Sequence, residues 1–406
     1  MASTRNNLPI NCWHAILIKT RYYWLLIHRW IALSVGFLFV VSGLTGSFLA
    51  FYPEIDRLIN PDWVIAKAPI SSNKQPLSDI LQSAQHVYPD KFLHSTFPPK
   101  TEDGVYQVWF TNSPSDDSQM WEVLVDPHDA RVLGNRVAMP AIEFSSRNIV
   151  NTIYTLHYQL FMGKIGSIIV GVVGIILLVS CVSGLVIWLP KGKNWKAGLL
   201  IKEASLKIRL AVDIHRTFGI YSLAFLVIIA FSGVFLSLPQ YIHPIIEYLS
   251  PPKEAKLTKA QPSPQYKNPL TADQVVDIAK QQYPNDFISC IWLPTGLGDE
   301  GRLWRISQKQ MGLIGLAGAP KDLWINGEDG GIAKATAYSA DSLGSKFIAW
   351  QIVLHNGSIL GLTGKVFVFI TGLVPLFLYV TGMLWWWRKR SATNGLPNIK
   401  SEITYE

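Results

Sequence analysis

Histidines occupy matching places in four short motifs of the chain. The motif Ile-His-Arg occurs at Ile27 and again at Ile214, and Leu-His occurs at Leu156 and again at Leu354. The histidines concerned are His28, His157, His215 and His355. A neutral imidazole is the most common metal ligand among side chains. Four histidines in matched motifs therefore indicate a metal or a metal-containing cofactor.

The elements that must position these histidines are four long apolar stretches. Of the 406 residues 49% are hydrophobic and 16% are charged, which is a low charged fraction for a soluble protein. A helix needs roughly 20 apolar residues to cross the hydrocarbon core of a bilayer. We predict transmembrane helices at about Trp30–Phe51, Ile165–Leu189, Phe218–Leu238 and Leu362–Trp387. Two long polar segments separate the first span from the second and the third from the fourth.

Basic residues predict the orientation of these spans. They precede the first span, fill the short connection between the second and third, and follow the fourth: Arg5, Lys19, Arg21, Arg29, Lys191, Lys193, Lys196, Lys202, Lys207, Arg209, Arg388, Lys389 and Arg390. Such residues favour the cytoplasmic side. Both termini are therefore expected inside and both polar segments outside. The net charge of +8 reflects this topology, and we expect no nucleic-acid partner.

The two halves of the chain resemble each other. When His157 is aligned with His355, three glycines of the second span match three of the fourth, and Ser183-Gly184 matches Thr381-Gly382. When His28 is aligned with His215, Thr45-Gly46 matches Ser232-Gly233. Each half would then contain a span, an outer segment and a second span. Halves of this kind share one orientation, so their symmetry axis runs along the membrane normal.

The outer segments also match each other. PLSDILQSAQHVYPDKF from Pro76 resembles PLTADQVVDIAKQQYPNDF from Pro269, and each reads as an amphipathic helix capped by Ser78 or Thr271. Alternating apolar sequence with an Asp-Pro or Asn-Gly turn follows in both, which is typical of antiparallel strands. We therefore predict a membrane α-helical protein with four transmembrane helices in two parallel repeats and two small α+β outer domains, each a helix on its own small sheet.

The repeat pairs the histidines. His28 and His215 begin spans one and three on the inner side, whereas His157 and His355 precede spans two and four on the outer side. A span rises about 30 Å, so the inner and outer histidines cannot share one ion. Two imidazoles on one iron form a bis-histidine b-type haem, which favours electron transfer. We predict two such haems, although isolated histidines near span ends also occur as solvated interfacial residues.

Further candidates surround these ligands. Arg29 and Arg216 follow the inner histidines and are expected to pair with haem propionates, and Lys164 and Lys365 are the outer candidates. Glycines near the ligands would let a flat macrocycle approach the helices: Gly36, Gly43, Gly46, Gly163, Gly166, Gly361 and Gly364. Glycines in spans also serve as helix-packing contacts, and that alternative remains open.

Several other functions have little support in the sequence. There is no CxxCH motif for covalent haem attachment, and no Walker, HExxH or nucleophile-elbow motif. The GLGDEG sequence at Gly296 lies in an outer segment without a strand-to-helix context for nucleotide binding. Electrons would therefore come from a partner protein or a quinol. With the boundaries above no span contains an acidic residue, which makes a transporter the weakest reading.

The span motifs resemble those of PepSY-associated transmembrane-helix proteins, which include iron-regulated membrane proteins and ferric-siderophore reductases of bacterial inner membranes. The motifs are IHRWIALSVGFLFVVSGLTG at Ile27, LHYQLFMGKIG at Leu156, DIHRTFGIYSLAFLVIIAFSG at Asp213 and LHNGSILGLTGKV at Leu354. The outer segments Pro76–Gly134 and Pro269–Ala335 resemble PepSY domains. The resemblance implies a di-haem protein of the inner membrane that passes electrons outward to ferric iron in a siderophore and releases ferrous iron.

The expected domain boundaries follow from the spans and segments. They are 1–52 for the cytoplasmic amino terminus and first span, 53–151 for the first periplasmic domain, 152–189 for the second span, 190–216 for the basic loop, 217–238 for the third span, 239–350 for the second periplasmic domain, 351–387 for the fourth span and 388–406 for the tail. Arg302, Trp304 and Arg305 are candidates for substrate docking. The alternative function is a non-catalytic PepSY protein that binds or regulates a periplasmic partner or an iron-uptake transporter.

Overall fold

The chain is described here from a computed structural model. The described residues are 10–69, 73–114, 116–189, 199–201, 207–251, 269–294, 299–310, 320–337 and 342–394. The basic residues expected from Lys191 to Lys202 lie outside these ranges, as do Arg5, Gly296 and residues 395–406 of the tail.

Eleven α-helices occur in the described part of the chain. They are α1 (Ile10–Leu49), α2 (Tyr52–Ile59), α3 (Pro61–Val64), α4 (Leu77–Gln85), α5 (Ile149–Gln159), α6 (Gly163–Trp188), α7 (Lys207–Ser237), α8 (Pro239–Leu249), α9 (Ala272–Gln282), α10 (Leu343–His355) and α11 (Gly361–Asn394). Four of these described helices supply stretches long and apolar enough to cross a membrane: Thr20–Leu49, Gly163–Trp188, Leu210–Ser237 and Ser358–Arg390. The four predicted spans are thus confirmed as apolar helices.

The helices that contain the first and third spans extend beyond the predicted apolar stretches. Helix α1 begins at Ile10, well before Trp30, and α7 begins at Lys207, before Phe218. Both helices continue through charged residues at their amino-terminal ends, where hydropathy falls but helical hydrogen bonding does not. His28 and His215 therefore lie inside α1 and α7 and not at their first residues.

The chain divides into two compact units. A helical unit comprises the first span up to Ser47, Gly171–Val234 and the chain from Phe367 onward. A sheet unit comprises Phe48–Val170 and Phe235–Val366.

Small residues let the helices of the helical unit approach closely. A Cβ atom on Gly43 of α1 would collide with the backbone of Gly372 on α11, and Ser47 donates a hydrogen bond of 2.7 Å to the Phe369 carbonyl. A Cβ atom on Gly174 of α6 would collide with the Val234 side chain of α7. Close backbone contact is the usual means of helix association in a membrane, where lipid removes the hydrophobic driving force.

The sheet unit contains one antiparallel sheet. Its strands are β1 (Phe92–Phe97), β2 (Tyr106–Ser113), β3 (Asp116–Val125), β4 (Val132–Met139), β5 (Asp286–Trp292), β6 (Leu303–Gln310), β7 (Lys321–Asn326) and β8 (Ile332–Ala337). They are ordered β4-β3-β2-β1-β5-β6-β7-β8, with β1 paired to β5. The prediction of a separate small sheet in each outer segment is therefore corrected: the two four-stranded halves join edge to edge. Such pairing removes two open strand edges.

Both sheet halves share one core under α4 and α9. Leu77 and Ile80 of α4 and Val275 of α9 belong to the same buried cluster as Phe110 and Ile306 of the strands. The apolar spacing along each helix predicts this face, because residues three and four apart lie on one side.

The two helix starts are linked by one carboxylate. Thr271 caps α9 as predicted, and Gln274 completes a capping box. Ser78 does not cap α4, because α4 begins at Leu77 without a side-chain cap of its own. Asp273 of α9 caps α4 instead. Its carboxylate accepts hydrogen bonds from the Leu77 N–H at 2.6 Å and from the N–H and hydroxyl of Ser78.

The opposite face of the first sheet half is closed by a buried ion network. Arg136 of β4 donates to Asp56 of α2 at 2.7 Å and to Glu122 of β3 at 2.6 Å. Burial alone would lower the pKa of Arg136, but the two carboxylates raise it above its ordinary value. The network attaches α2, which follows directly after the first span, to the sheet.

Candidate functional site

The two inner histidines meet in the helical unit. His28 of α1 and His215 of α7 have ring centroids 6.2 Å apart, with their ring planes at 90°. An imidazole–metal–imidazole arrangement with metal–nitrogen bonds of about 2 Å places two ring centroids about 6 Å apart. The spacing therefore suits one metal held between the rings. The pairing predicted from the repeat occurs in the structure.

Each inner histidine is oriented by the neighbouring helix of its own half. The Nδ1 atom of His28 lies 3.1 Å from the Ser180 carbonyl and 2.9 Å from the Ser183 hydroxyl. The Nδ1 atom of His215 lies 3.0 Å from both the Leu378 carbonyl and the Thr381 hydroxyl. Carbonyl oxygens only accept, so Nδ1 must carry the proton in both rings. The Nε2 atom of each neutral ring then keeps its lone pair for a metal.

Glycines stand against both inner rings. A Cβ atom at Gly184 would lie 3.4 Å from the His28 ring, and one at Gly382 would lie 3.4 Å from the His215 ring. Larger side chains at these positions would push the rings out of place. The sequence repeat aligns Ser183-Gly184 with Thr381-Gly382 but does not by itself place them beside the histidines. Their equal offset from the two histidine motifs is the sequence feature that relates them to the site.

The outer histidines meet in the sheet unit. His157 and His355 have ring centroids 6.1 Å apart, with their planes at 45°. Each lies in the last turn of a short helix, α5 or α10, that precedes a span. Tight connections follow them, with positive φ at Leu160 in the first and at Gly357 in the second. These turns set each histidine next to the start of a span without placing it inside one.

The two imidazoles of each histidine pair fit a metal whose other ligands come from a cofactor. Each pair offers two imidazoles, and no group of three or more His, Cys, Asp or Glu side chains suited to a metal occurs among the residues described. A bare zinc ion would need about four protein ligands in a structural site. A haem iron has four ring nitrogens and needs two axial ligands, which is what each pair can provide.

Four of the seven glycines predicted to lie against a macrocycle closely approach other parts of the chain. A side chain on Gly166 would strike the backbone of Gln159, and one on Gly364 would strike Gly357. These two close approaches form the connections between α5 and α6 and between α10 and α11. Gly43 packs on α11, as described above, and Gly36 lies against the Tyr379 ring. Gly46 lies within α1.

Some of the basic residues predicted to bind haem propionates already form ion pairs within the chain. Arg216 forms an ion pair of 3.1 Å with Asp213, and Lys365 forms one of 2.7 Å with Glu54. Arg29 has its guanidinium 5.6 Å from the Trp30 ring, and its buried Nε atom has no hydrogen-bond partner among the described residues. Lys164 is exposed. Because Arg216 is already paired with Asp213, Arg29 is the better placed of the two inner arginines to bind an added anion.

Asp213 corrects one expectation. It lies within the third apolar helix and is buried, so that helix does contain an acidic residue. The prediction missed it because the span was started at Phe218. Its charge is balanced three residues later by Arg216, which is the helical spacing for such pairs.

The docking candidates separate in the structure. Trp304 is 8% exposed and belongs to the core under α9. Arg302 is exposed and paired with Glu328 at 2.9 Å. Arg305 lies on the opposite face of the sheet from Trp304, since neighbouring residues of a strand point to opposite faces.

Comparison with known proteins identifies the family of the chain. No curated protein matches the sequence. The family model described as PepSY-associated TM region matches residues 25–389, which cover most of each of the four apolar helices and the whole sheet. The chain therefore belongs to the PepSY-associated transmembrane family.

Proposed function

We propose that the chain is a di-haem electron-transfer protein of a bacterial inner membrane. The observation that carries this proposal is the pair of histidine contacts, one of 6.2 Å and one of 6.1 Å, each joining the two halves of the chain. His28 with His215, and His157 with His355, would each hold one b-type haem. A haem with two imidazole ligands supplies reversible one-electron transfer.

The residues of the chain hold the imidazoles ready for this role. The Ser180 and Leu378 carbonyls accept the Nδ1 protons, which fixes the ring tautomer and leaves Nε2 able to bind a metal. The hydroxyls of Ser183 and Thr381 share these protons. Arg29 would pair with a propionate, because its Nε is otherwise unsatisfied.

The proposed topology places both termini in the cytoplasm and the sheet unit in the periplasm. Basic residues beyond the ends of the spans support it. The two halves would be parallel repeats, and each half of the sheet, with its helix, would be a PepSY domain. Electrons would enter from a cytoplasmic donor or a quinol and leave to a periplasmic acceptor. Family resemblance favours ferric iron in a siderophore as that acceptor, whose reduction releases the less tightly held ferrous ion.

Histidine variants test the pairing. His28→Ala or His215→Ala should remove one haem spectrum and leave the other, whereas His157→Ala or His355→Ala should remove the complementary one. His86→Ala is a matched control, because His86 is exposed at the end of α4. Visible spectra of the dithionite-reduced proteins provide the measurement. If single variants from the two pairs removed the same absorption bands from a folded protein, the assignment of ligands would be wrong.

Colourless protein purified from haem-replete cells would instead favour the non-catalytic alternative, in which the sheet unit binds a periplasmic partner or regulates an iron-uptake transporter.

A further inference from the structure

One row of side chains crosses the whole sheet on the face opposite α4 and α9. Strand register places the residues of this row directly opposite one another, in the order Arg136, Glu122, Trp109, Ser95, Trp292, Arg305, Trp324 and Lys334. Residues that face each other across antiparallel strands share one face of the sheet. The first half of this face is covered by other parts of the chain, whereas the second half is partly exposed.

The first half of the face is closed by the chain itself. Arg136 and Glu122 are each 4% exposed in their side chains, because Asp56 of α2 covers them. Helix α3 packs on β4 beside them. In the second half the helix that follows the span is α8, and it packs on α10 instead.

The second half of the face presents cations stacked with indoles. The Arg305 guanidinium lies 4.4 Å from the Trp292 ring and 5.2 Å from the Trp324 ring, and its side chain is 42% exposed. The Lys334 ammonium also lies over the Trp324 ring, 4.7 Å from its centroid. Indole rings held in this way can make edge-to-face or offset contacts with other aromatic rings.

Positive charge is in excess beside this stack. Asp322 balances Arg305 at 2.7 Å. Lys309 lies on the same strand and face as Arg305, and within the described residues neither it nor Lys100 has a carboxylate within ion-pair distance. Burial, together with the nearby charge of Lys100, lowers the pKa of Lys309 below its ordinary value. An excess of lysine charge beside the stack favours binding of an anion.

We propose that this cationic face, defined by Lys100, Trp292, Arg305, Lys309 and Trp324, binds an anionic ferric chelate with planar aromatic donor groups. The lysines would neutralise the charge of the chelate, and the indole–guanidinium stack would contact its rings. The proposal rests on the proposed function, since it names the class of acceptor. Of the docking candidates, Arg305 would contact the chelate, whereas the buried Trp304 would not.

Redox-inert gallium(III) complexes test the site without any electron transfer. The full-length protein in nanodiscs would be titrated with a trianionic gallium(III) tris-catecholate, with a neutral gallium(III) tris-hydroxamate and with gallium(III) citrate, which is anionic but lacks rings. Quenching of tryptophan fluorescence reports binding, and calorimetry checks it. The tris-catecholate should bind at least about tenfold more tightly than either of the others.

Variants assign the binding to the cationic face. Lys100→Gln with Lys309→Gln should raise the Kd for the tris-catecholate on the order of tenfold and leave that for the tris-hydroxamate unchanged. Trp292→Leu should weaken the tris-catecholate as well. Arg302→Gln is the control, because Arg302 is a more exposed arginine that is paired with Glu328 outside the row.

Equal binding of the charged and neutral complexes, no binding of the tris-catecholate, or an unchanged Kd in the double lysine variant would each overturn the proposal. The haem spectrum of every variant is recorded separately. Failure of docking in protein with both haems therefore differs from failure of the di-haem function itself.

Discussion

Replacing Asp273 with asparagine should destabilise both halves of the sheet unit together. The Asp273 carboxylate accepts hydrogen bonds from the Leu77 N–H at 2.6 Å, the Ser78 N–H at 3.2 Å and the Ser78 hydroxyl. An amide retains one acceptor oxygen and loses the charge that favours the amino-terminal end of α4. Losing most of a helix cap costs about 1–2 kcal/mol. A unit of this size should therefore melt roughly 2–8 °C lower.

Thermal unfolding followed by circular dichroism in detergent measures this change. Asp277→Asn is the matched control, because Asp277 lies on the same helix one turn later and is exposed. Ser78→Ala combined with Asp273→Asn should cost less than the sum of the two single changes, since both remove the same contact. If Asp273→Asn melted at the same temperature as Asp277→Asn, the link between α4 and α9 would not contribute to stability.

Two further substitutions test the ion network and the orientation of the inner ligand. Glu122→Gln removes a buried carboxylate from Arg136 and should lower the free energy of unfolding by about 3 kcal/mol, measured by denaturant titration, whereas Asp129→Asn in an exposed pair should cost about 0–1 kcal/mol. Thr381→Val removes the hydroxyl beside the His215 Nδ1 atom and should weaken retention of the inner haem on the order of tenfold, measured by haem loss to apomyoglobin. An equal haem loss in Thr363→Val, an exposed threonine of the same helix, would show that the hydroxyl has no orienting role.

The spans and both histidine pairs could be predicted because each leaves a long or repeated signal. An apolar stretch long enough to cross a bilayer is visible in any single sequence. The offset between Ile27 and Ile214 likewise relates His28 to His215. The helix starts were less predictable, since α1 continues through Arg21 and Arg29, and hydropathy does not report the end of a helix.

The joining of the two sheet halves had no local signal. The Ser95–Trp292 contact brings together strand edges that are far apart in sequence, and either edge would have looked open by itself. The cap on α4 depends on this joining, so Asp273 could not be assigned before the halves were brought together. Ser78 fitted a local capping pattern equally well.

The face on which each strand residue lies was also hidden. Trp304 and Arg305 are adjacent residues, and the sequence alone makes either a candidate for a docking surface. A shift of one residue in strand register would exchange the faces of the sheet on which they lie. Only the pairing of Arg305 with Trp292 and Trp324 places it away from the core.

Haem content is the most direct test of the central proposal. Protein purified from haem-replete cells would be quantified by the pyridine haemochrome assay and by its reduced-minus-oxidised spectrum. Two b-type haems per chain with low-spin, split bands are expected from the two histidine pairs. Folded protein without haem, or with a high-spin spectrum in which one axial position is open, would contradict the account.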